Sequence, residues 1–222
     1  MLKFKQLNFF KILNLLLNGA NLKSPFSIHI LGELKFGKNI TIGRHVTFSG
    51  DVSIEDGTTI EDYCLIKDAY LSKNSRIKSH SIVEDSRIGK MSFIGPFARV
   101  RGNSLVGDEC QIGNFVELKN SFIGLGCRIN HMAFIGDATL EDDVTIGAGT
   151  ITCNHDGHKV NKTLIKEKAY IGSNVNLVAP IIIAARATIG SGSTITDDVP
   201  ENSLTIARSK QVTIENWEKP KK

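Results

Sequence analysis

A repeat of six residues runs through most of this 222-residue chain and constrains its fold more than any other feature. Small residues often occupy the fourth place after each aliphatic anchor of the repeat, and Gly often follows the anchor directly, as in Ile112-Gly113 and Ile146-Gly147. The pattern is too long to arise by chance. The anchors, in runs separated by short slips or breaks, are Ile42, Phe48, Ile54, Ile60 and Ile66; Leu71, Ile77 and Val83; Ile88, Ile94, Val100, Val106, Ile112 and Leu118; Ile123, Ile129, Ile135, Leu140 and Ile146; and Ile165, Ile171, Leu177, Ile183, Ile189 and Ile195.

The geometry of a hexapeptide repeat predicts a triangular solenoid. Each hexad supplies one short strand and a turn, so three hexads make one coil of roughly 18 residues. Coils stack at the spacing of neighbouring strands, roughly 4.8 Å. We therefore predict an all-β fold, a left-handed parallel β-helix of about nine coils with a short N-terminal α-helix. Gly after an anchor is expected to adopt a corner conformation that other residues find costly.

The two ends of the chain depart from the repeat. We expect residues 1–30 to form a helix and a linker, 31–199 the β-helix and 200–222 a C-terminal tail, with both ends covering open strand edges. The break at 152–164 is polar and is predicted to be an extruded loop, where function concentrates on a rigid scaffold. The amphipathic helix is predicted from about Phe4 to Asn18, with one apolar face formed by Leu7, Phe10, Leu13 and Leu17.

Charge and cysteine content argue against several classes of protein. The formal net charge of +4 lies entirely within the first 32 residues, so the neutral remainder carries no footprint for nucleic acid. No stretch is long enough to span a membrane, and the N-terminus lacks the uninterrupted apolar run of a signal peptide. The cysteines form no C-x-x-C pair, so we expect reduced thiols in a cytoplasmic protein. They are Cys64, Cys110, Cys127 and Cys153.

Specific strings within the repeat resemble one family. They are Ile94-Gly-Pro-Phe-Ala-Arg-Val-Arg101, Gly113-Asn-Phe-Val-Glu-Leu-Lys119, Ile146-Gly-Ala-Gly-Thr-Ile-Thr-Cys-Asn154 and Ile171-Gly-Ser-Asn-Val-Asn-Leu-Val-Ala-Pro180. They are similar to the acetyltransferase half of the bifunctional N-acetylglucosamine-1-phosphate uridyltransferase/glucosamine-1-phosphate acetyltransferase. The resemblance runs from about Asn14 to Trp217, and the chain has no room for the uridyltransferase half.

The resemblance implies an acyltransferase of amino-sugar metabolism that makes a cell-wall precursor. Such an enzyme moves the acetyl group of acetyl-CoA to the amine of glucosamine 1-phosphate, needs no metal, and works as a homotrimer with sites between neighbouring prisms. By the same resemblance, His131 is the general base, supported by Asn154 and Ser173. Arg101 and Lys119 would hold the sugar phosphate. The residues that would contact CoA are Ala148, Ser173, Ser191 and Arg208.

These residue types suit acetyl transfer. An amine attacks a thioester only when it is deprotonated, and an imidazole at His131 can accept its proton. A donor such as Ser173 can stabilise the oxyanion that develops. Cations such as Arg101 bind phosphate, because a guanidinium donates two parallel hydrogen bonds.

Three departures from the family pattern bear on the acceptor sugar. Phe134 and His155 stand where the family has Tyr, and Thr145 stands where it has Asn. A site that loses donors to particular hydroxyls loses discrimination between sugars. The acceptor is therefore either glucosamine 1-phosphate or another amino sugar, which could be nucleotide-linked.

Other interpretations of single residues remain open. The chain could be a non-catalytic trimeric scaffold related to the enzymes. His155 and His158 form an H-x-x-H pair that could bind metal, although a third histidine at suitable spacing is not evident in the sequence. Cys153 could be a nucleophile, but Cys is commonly a small core residue.

Overall fold

A computed structural model of the chain describes residues 2–218, with side chains described from residue 8 onward. The last four residues of the predicted tail, 219–222, lie outside this range. In chain order the elements are α1 (Leu2–Leu17), β1 (Asn21–Leu22), a 3₁₀ turn (Pro25–Ser27), β2 (His29–Phe36), β3 (Thr41–Ile42), β4 (Thr47–Ile54), β5 (Thr59–Ile60), β6 (Leu65–Lys67), β7 (Tyr70–Leu71), β8 (Arg76–Ile77), β9 (Ile82–Glu84), β10 (Arg87–Ile88), β11 (Phe93–Ile94), β12 (Arg99–Arg101), β13 (Leu105–Val106), β14 (Gln111–Asn114), β15 (Glu117–Lys119), β16 (Phe122–Ile123), β17 (Arg128–His131), β18 (Phe134–Gly136), β19 (Ala138–Leu140), β20 (Thr145–Ile146), β21 (Ile151–Cys153), β22 (Thr163–Ile165), β23 (Tyr170–Ile171), β24 (Asn176–Val178), β25 (Ile181–Ile183), β26 (Thr188–Ile189), β27 (Thr194–Ile195) and β28 (Leu204–Thr205).

These strands stack in parallel, coil upon coil, into a three-sided prism. The predicted fold class, a left-handed parallel β-helix with one short N-terminal helix, is confirmed. The first face consists of β1, β3, β5, β8, β11, β14, β17, β20, β23, β26 and β28. The second face consists of the first part of β2 and β4 with β6, β9, β12, β15, β18, β21, β24 and β27. The third face consists of the remainder of β2 and β4 with β7, β10, β13, β16, β19, β22 and β25.

The hexapeptide anchors form the core of the prism. Every anchor named above is buried, and so are the small residues four places further on. Among the described residues, Phe48 is the only ring buried in this core. Because each coil offers room for one aliphatic side chain per face, the low aromatic content of the chain follows from its architecture.

The prism has more coils than we expected. The first face contains eleven strands, whereas about nine coils were predicted. The additional strands are β1 and β28, which lie in the segments predicted as linker and tail. These end coils lack the regular anchors that made the others visible in the sequence.

The glycines that follow an anchor have a different role from the one we expected. Only Gly95 among them has a positive φ. At Gly113, a Cβ would lie 2.0 Å from the carbonyl oxygen of Asn130 in the next coil, and at Gly147 it would lie 2.5 Å from the carbonyl carbon of Gly172. Glycine is therefore required there by the close approach of the neighbouring coil, because no side chain fits between the two backbones.

The helix α1 packs on the N-terminal end of the prism through a face that we did not predict. Ile12 and Leu15 are buried, whereas Phe10, Leu13 and Leu17 are exposed, and the side chain of Leu7 lies outside the described residues. The helix is apolar on nearly every side, so spacing alone does not select the packed face. Within residues 2–218, no helix is long and apolar enough to cross a membrane.

Candidate active site

The corner between the first and second faces, here called the His131 corner, carries the candidate base and the candidate CoA contacts. In nine successive coils, from that of His45 to that of Gly192, its second residue has a positive φ. In the lower coils these residues are rings stacked on one another, with centroids 4.8–5.4 Å apart from His45 to Phe115. From bottom to top the residues are His45, Tyr63, His80, Phe97, Phe115, Met132, Gly149, Asn174 and Gly192.

His131 lies on this corner at the end of β17 and is exposed. Its Nδ1 lies 2.7 Å from Oδ1 of Asn114, the residue that faces it in the coil below. An amide oxygen can only accept, so Nδ1 carries the proton and Nε2 keeps its lone pair. The contact leaves the outward nitrogen of His131 able to accept a proton.

Small residues continue the His131 corner above His131. Ala148, Ser173 and Ser191 occupy the position of His131 in the three successive coils above it. Hydrogen bonds between these coils establish the register: Asn174 N donates to the Ala148 carbonyl oxygen at 2.7 Å, and Ser173 N donates to Ser191 Oγ at 3.1 Å. Arg208 is exposed at the upper end, where its Nη1 donates to the Ser191 carbonyl at 2.6 Å. The result is an open strip that begins beside His131 and ends at a cation.

The second face, next to His131, carries the candidate phosphate ligands. Arg101 and Lys119 face each other in β12 and β15, so they lie in adjacent coils on the outside of the prism. Arg101 Nε donates to Glu117 Oε1 at 2.6 Å, and Lys119 Nζ lies 3.9 Å from Oδ2 of Asp137. Within the described residues, the terminal nitrogens of Arg101 donate to no protein acceptor and remain free for an anion.

Phe134 and Asn154 meet above Gly136, which faces Lys119 in the coil below. A Cβ at Gly136 would lie 2.6 Å from Cζ of Phe134 and 2.9 Å from Nδ2 of Asn154. The ring and the amide therefore share the space that the missing side chain leaves free. This contact places Asn154 on the second face together with the two cations.

Two of the predicted substrate residues, Thr145 and His155, do not lie on the second face. Thr145 lies on β20 of the first face, on the other side of the His131 corner from Phe134. His155 is exposed in the loop between β21 and β22, where its Nδ1 accepts a hydrogen bond from the Gly157 N–H at 3.0 Å. Within one chain, therefore, Phe134 and Thr145 lie on different faces of the prism.

The extruded loop is a small hairpin organised by Asp156. Its carboxylate accepts hydrogen bonds from the N–H groups of His158 and Lys159 and from the amide of Asn161. These bonds, first the one from Lys159, lower the pKa of Asp156 to about 2. Among the described residues, no three His, Cys, Asp or Glu side chains are grouped to hold a metal ion, so the loop histidines are not part of such a cluster.

The cysteines divide between core and surface. Cys64, Cys110 and Cys127 are buried free thiols. Burial raises the pKa of Cys64 to about 12, so its thiol stays protonated at neutral pH. Cys153 is half-buried on the second face next to Asn154.

Sequence reasoning missed the residues that support these side chains. Asn114 supports His131, Glu117 holds Arg101, and Asp137 binds Asn154. Each lies one coil from its partner, 16 or 17 residues away along the chain. The coil period is therefore the signal that could have found them, once the one-residue slips in the repeat were placed correctly.

Comparison with known proteins gives relatives over almost the entire chain. Residues 30–124 match the family described as the GMPPB C-terminal domain. The chain is 43% identical over 208 residues to the bifunctional protein GlmU of Marinobacter nauticus, which covers 94% of this chain and 46% of the relative. It is 49% identical over 134 residues to the bifunctional protein GlmU of Methylococcus capsulatus, covering 60% of this chain and 29% of the relative. The chain thus spans less than half the length of these curated relatives.

Solved structures give a weaker likeness. A mutant of perosamine N-acetyltransferase from Caulobacter crescentus, in complex with CoA and GDP-perosamine, has a TM-score of 0.47 and 21% identity, covering 54% of this chain and 53% of the other. LpxA from Acinetobacter baumannii has a TM-score of 0.45 and 16% identity, covering 85% of this chain and 69% of the other. At these values neither structure bears on function.

Proposed function

Because this chain is homologous to a part of the bifunctional protein GlmU, we propose that it is an acetyl-CoA-dependent N-acetyltransferase acting on glucosamine 1-phosphate. The observation that carries the proposal is the position of His131. It lies between a strip of small residues that ends at a cation and a face that carries two cations and an amide. Such an arrangement suits two substrates that meet at one base.

The strip above His131 fits an elongated co-substrate with phosphate groups. Ala148, Ser173 and Ser191 project little beyond the backbone, so they leave the corner open along its length. Arg208 makes one hydrogen bond, to the Ser191 carbonyl, and its other donors remain available for phosphate oxygens. Acetyl-CoA bound along this strip would supply an acetyl group activated as a thioester.

The residues of this chain then have defined tasks. The acceptor amine forms the new C–N bond to the acetyl carbon as the C–S bond breaks and the thiolate leaves. Nε2 of His131 accepts the proton that the amine loses, because Asn114 keeps the proton of the ring on Nδ1. The hydroxyl of Ser173 is a donor for the oxygen on which negative charge develops. Arg101 and Lys119 bind the sugar phosphate.

The experiment mixes the purified chain with acetyl-CoA and glucosamine 1-phosphate and follows thiol release. We expect turnover that falls by about 10²–10⁴-fold in His131→Ala, the range of a positioned general base. His29→Ala is the matched control, because His29 is also exposed but lies at the N-terminal end of the prism. Absence of turnover at millimolar acceptor, or full activity in His131→Ala, would refute the proposal.

Phe134 supports a second candidate, acetyl transfer to a different amino sugar. Its ring fills the space above Gly136, where it offers no hydrogen bond to a sugar hydroxyl. An apolar ring suits an acceptor whose group at this position is apolar or absent. A panel of amino sugars, including nucleotide-linked ones, decides between the two: a marked preference for glucosamine 1-phosphate excludes the second candidate.

We also propose that the working form is a homotrimer. Phe134 and Thr145 lie on different faces of one prism, so a site that uses both requires two chains packed at the His131 corner. Light scattering coupled to size-exclusion chromatography should give a molecular mass three times that of one chain. A monomer that retains full activity would contradict this part of the proposal.

A further inference from the structure

Asp137 is a buried carboxylate beneath the extruded loop that the proposed chemistry does not use. Its side chain is only 7% exposed. Oδ1 accepts a hydrogen bond from Nδ2 of Asn120 and Oδ2 accepts one from Nδ2 of Asn154, both at 2.5 Å. Lys119 Nζ lies 3.9 Å from Oδ2. One carboxylate thus touches two of the residues placed at the site, Asn154 and Lys119.

The turn at this corner does not by itself require an aspartate. Asp137 has a positive φ of 51°, and Asn120 occupies the same position in the coil below with φ of 48°. Both Asn and Asp tolerate this conformation, so Asn at 137 would satisfy the backbone equally well. An Asn, however, has one oxygen and could not accept from two amide groups through two oxygens.

The contact fixes the direction of the Asn154 amide. A carboxylate only accepts hydrogen bonds, so Asn154 must turn its NH₂ group toward Asp137. Its Oδ1 then points the other way, and within the described residues no protein donor reaches that oxygen. An amide oxygen without a partner beside Lys119 and Phe134 is an acceptor available to a ligand on the second face.

We propose that Asp137 is a positioning residue that turns Asn154 Oδ1 toward the amine of the acceptor sugar, an inference that rests on the proposed function. A neutral amine carries two hydrogens. With one directed at Nε2 of His131 and the other at Oδ1 of Asn154, its lone pair is aimed between them at the acetyl carbon. The amine proton still leaves to His131, and Asp137 itself gains and loses nothing.

The first test compares two alanine variants at the same corner. Asp137→Ala removes the carboxylate, and Asp85→Ala removes the carboxylate three coils below, where φ is also positive at 46°. Both place Ala in the same strained conformation, so the backbone effect is matched. We expect kcat to fall about 100-fold in Asp137→Ala, as misplaced reacting groups do, with acetyl-CoA affinity unchanged within about twofold. We expect no change of kcat in Asp85→Ala.

A reciprocal exchange distinguishes positioning from simple packing. Asn154→Asp alone sets two carboxylates against each other and should lower kcat by at least as much as Asp137→Ala. Adding Asp137→Asn restores a donor–acceptor pair with its direction reversed, and the carboxylate introduced at position 154 can still accept from the amine. We expect the double variant to recover at least tenfold in kcat over Asn154→Asp.

The outcomes separate this inference from the proposed function. A wild-type chain without acetyltransferase activity overturns both. An active wild type with Asp137→Ala as active as Asp85→Ala, or with no recovery in the double variant, overturns only the role of Asp137. Melting temperatures of all variants are measured alongside, and a loss of kcat that follows the melting temperature would also count against positioning.

Discussion

The His131 corner is built in two ways. Below His131, five rings stack from His45 to Phe115, each in a backbone conformation that is unfavourable for such side chains. Above His131, the position of the rings is occupied by Gly149, Asn174 and Gly192 and the position before it by Ala148, Ser173 and Ser191, so nothing larger than an asparagine projects from the corner. The coils are otherwise alike. The difference shows that one scaffold position can either close a surface with rings or leave it open for a ligand.

The largest effect is expected when a ring is introduced into the open upper half of the corner. Ala148→Phe would put a ring directly above His131 and cover the strip. We expect acetyl-CoA affinity to fall about 100-fold, or two tenfold steps of roughly 1.4 kcal/mol each, measured by calorimetry. Ser79→Phe is the matched control, because Ser79 holds the same corner position among the rings, and it should bind acetyl-CoA as wild type does. Equal affinity in both variants would mean that the strip is not the co-substrate site.

The next effect concerns the boundary between the halves, where Asn114 holds His131. Asn114→Leu removes the acceptor for Nδ1–H, and we expect kcat to fall about tenfold or more because the ring is no longer fixed in one tautomer. Asn114→Asp keeps an acceptor and should retain most of the activity. If Asn114→Leu and Asn114→Asp have the same kcat, the contact does not orient the base.

A smaller effect is expected from the rings. Tyr63 stacks between His45 and His80 with φ of 61°. Tyr63→Ala loses both stacking contacts and keeps the strained backbone, whereas Tyr63→Gly loses the contacts but relieves about 1–2 kcal/mol of strain. We therefore expect the glycine variant to have the higher free energy of unfolding in urea. The reverse order would show that the backbone at this corner is not strained.

The smallest effect should arise away from both halves, in the loop held by Asp156. Its pKa of about 2 lies below the ordinary value for an aspartate, so the stabilisation of the loop is complete above about pH 4 and is lost as the pH falls toward 2. Hydrogen exchange of the His158 and Lys159 amides should accelerate over that window relative to neighbouring loop amides. Asp156→Asn should weaken this dependence, and a wild-type loop insensitive to pH between about 2 and 4 would contradict it.

Much of this architecture could be predicted from sequence, because the six-residue repeat identifies which side chains point into the core. Anchors such as Ile94 and Leu118 are buried as expected. The contacts on the outside of the prism could not be predicted in the same way. The prediction of the packed face of α1 was wrong, because apolar residues surround the helix and spacing alone does not select one face. A polar contact also helps to hold the helix on the prism: Asn8 Oδ1 accepts a hydrogen bond from Ile30 N at 2.8 Å.

The candidate site shows the same division. His131, Arg101 and Lys119 were proposed as site residues from specific strings, and in the structure they lie on one corner and the adjoining face. Asn114 and Asp137 were not found, because their importance depends on which residue lies directly above them. Which residues lie above one another changes wherever a coil has about 17 rather than 18 residues. A difference of one residue in the length of a coil therefore decides which two side chains meet.

The stacked coils also give the molecule a measure of length. From His131 the His131 corner rises one coil at a time through Ala148, Ser173 and Ser191 to Arg208. Three steps of roughly 4.8 Å separate His131 from Ser191, whose carbonyl accepts from the guanidinium of Arg208, so base and cation lie about 14 Å apart along the axis. The stacking of the coils sets that distance. A duplication or deletion of one whole coil between them would lengthen or shorten the interval by one step while leaving every contact within the coils intact, so the size of an accepted molecule is counted in coils.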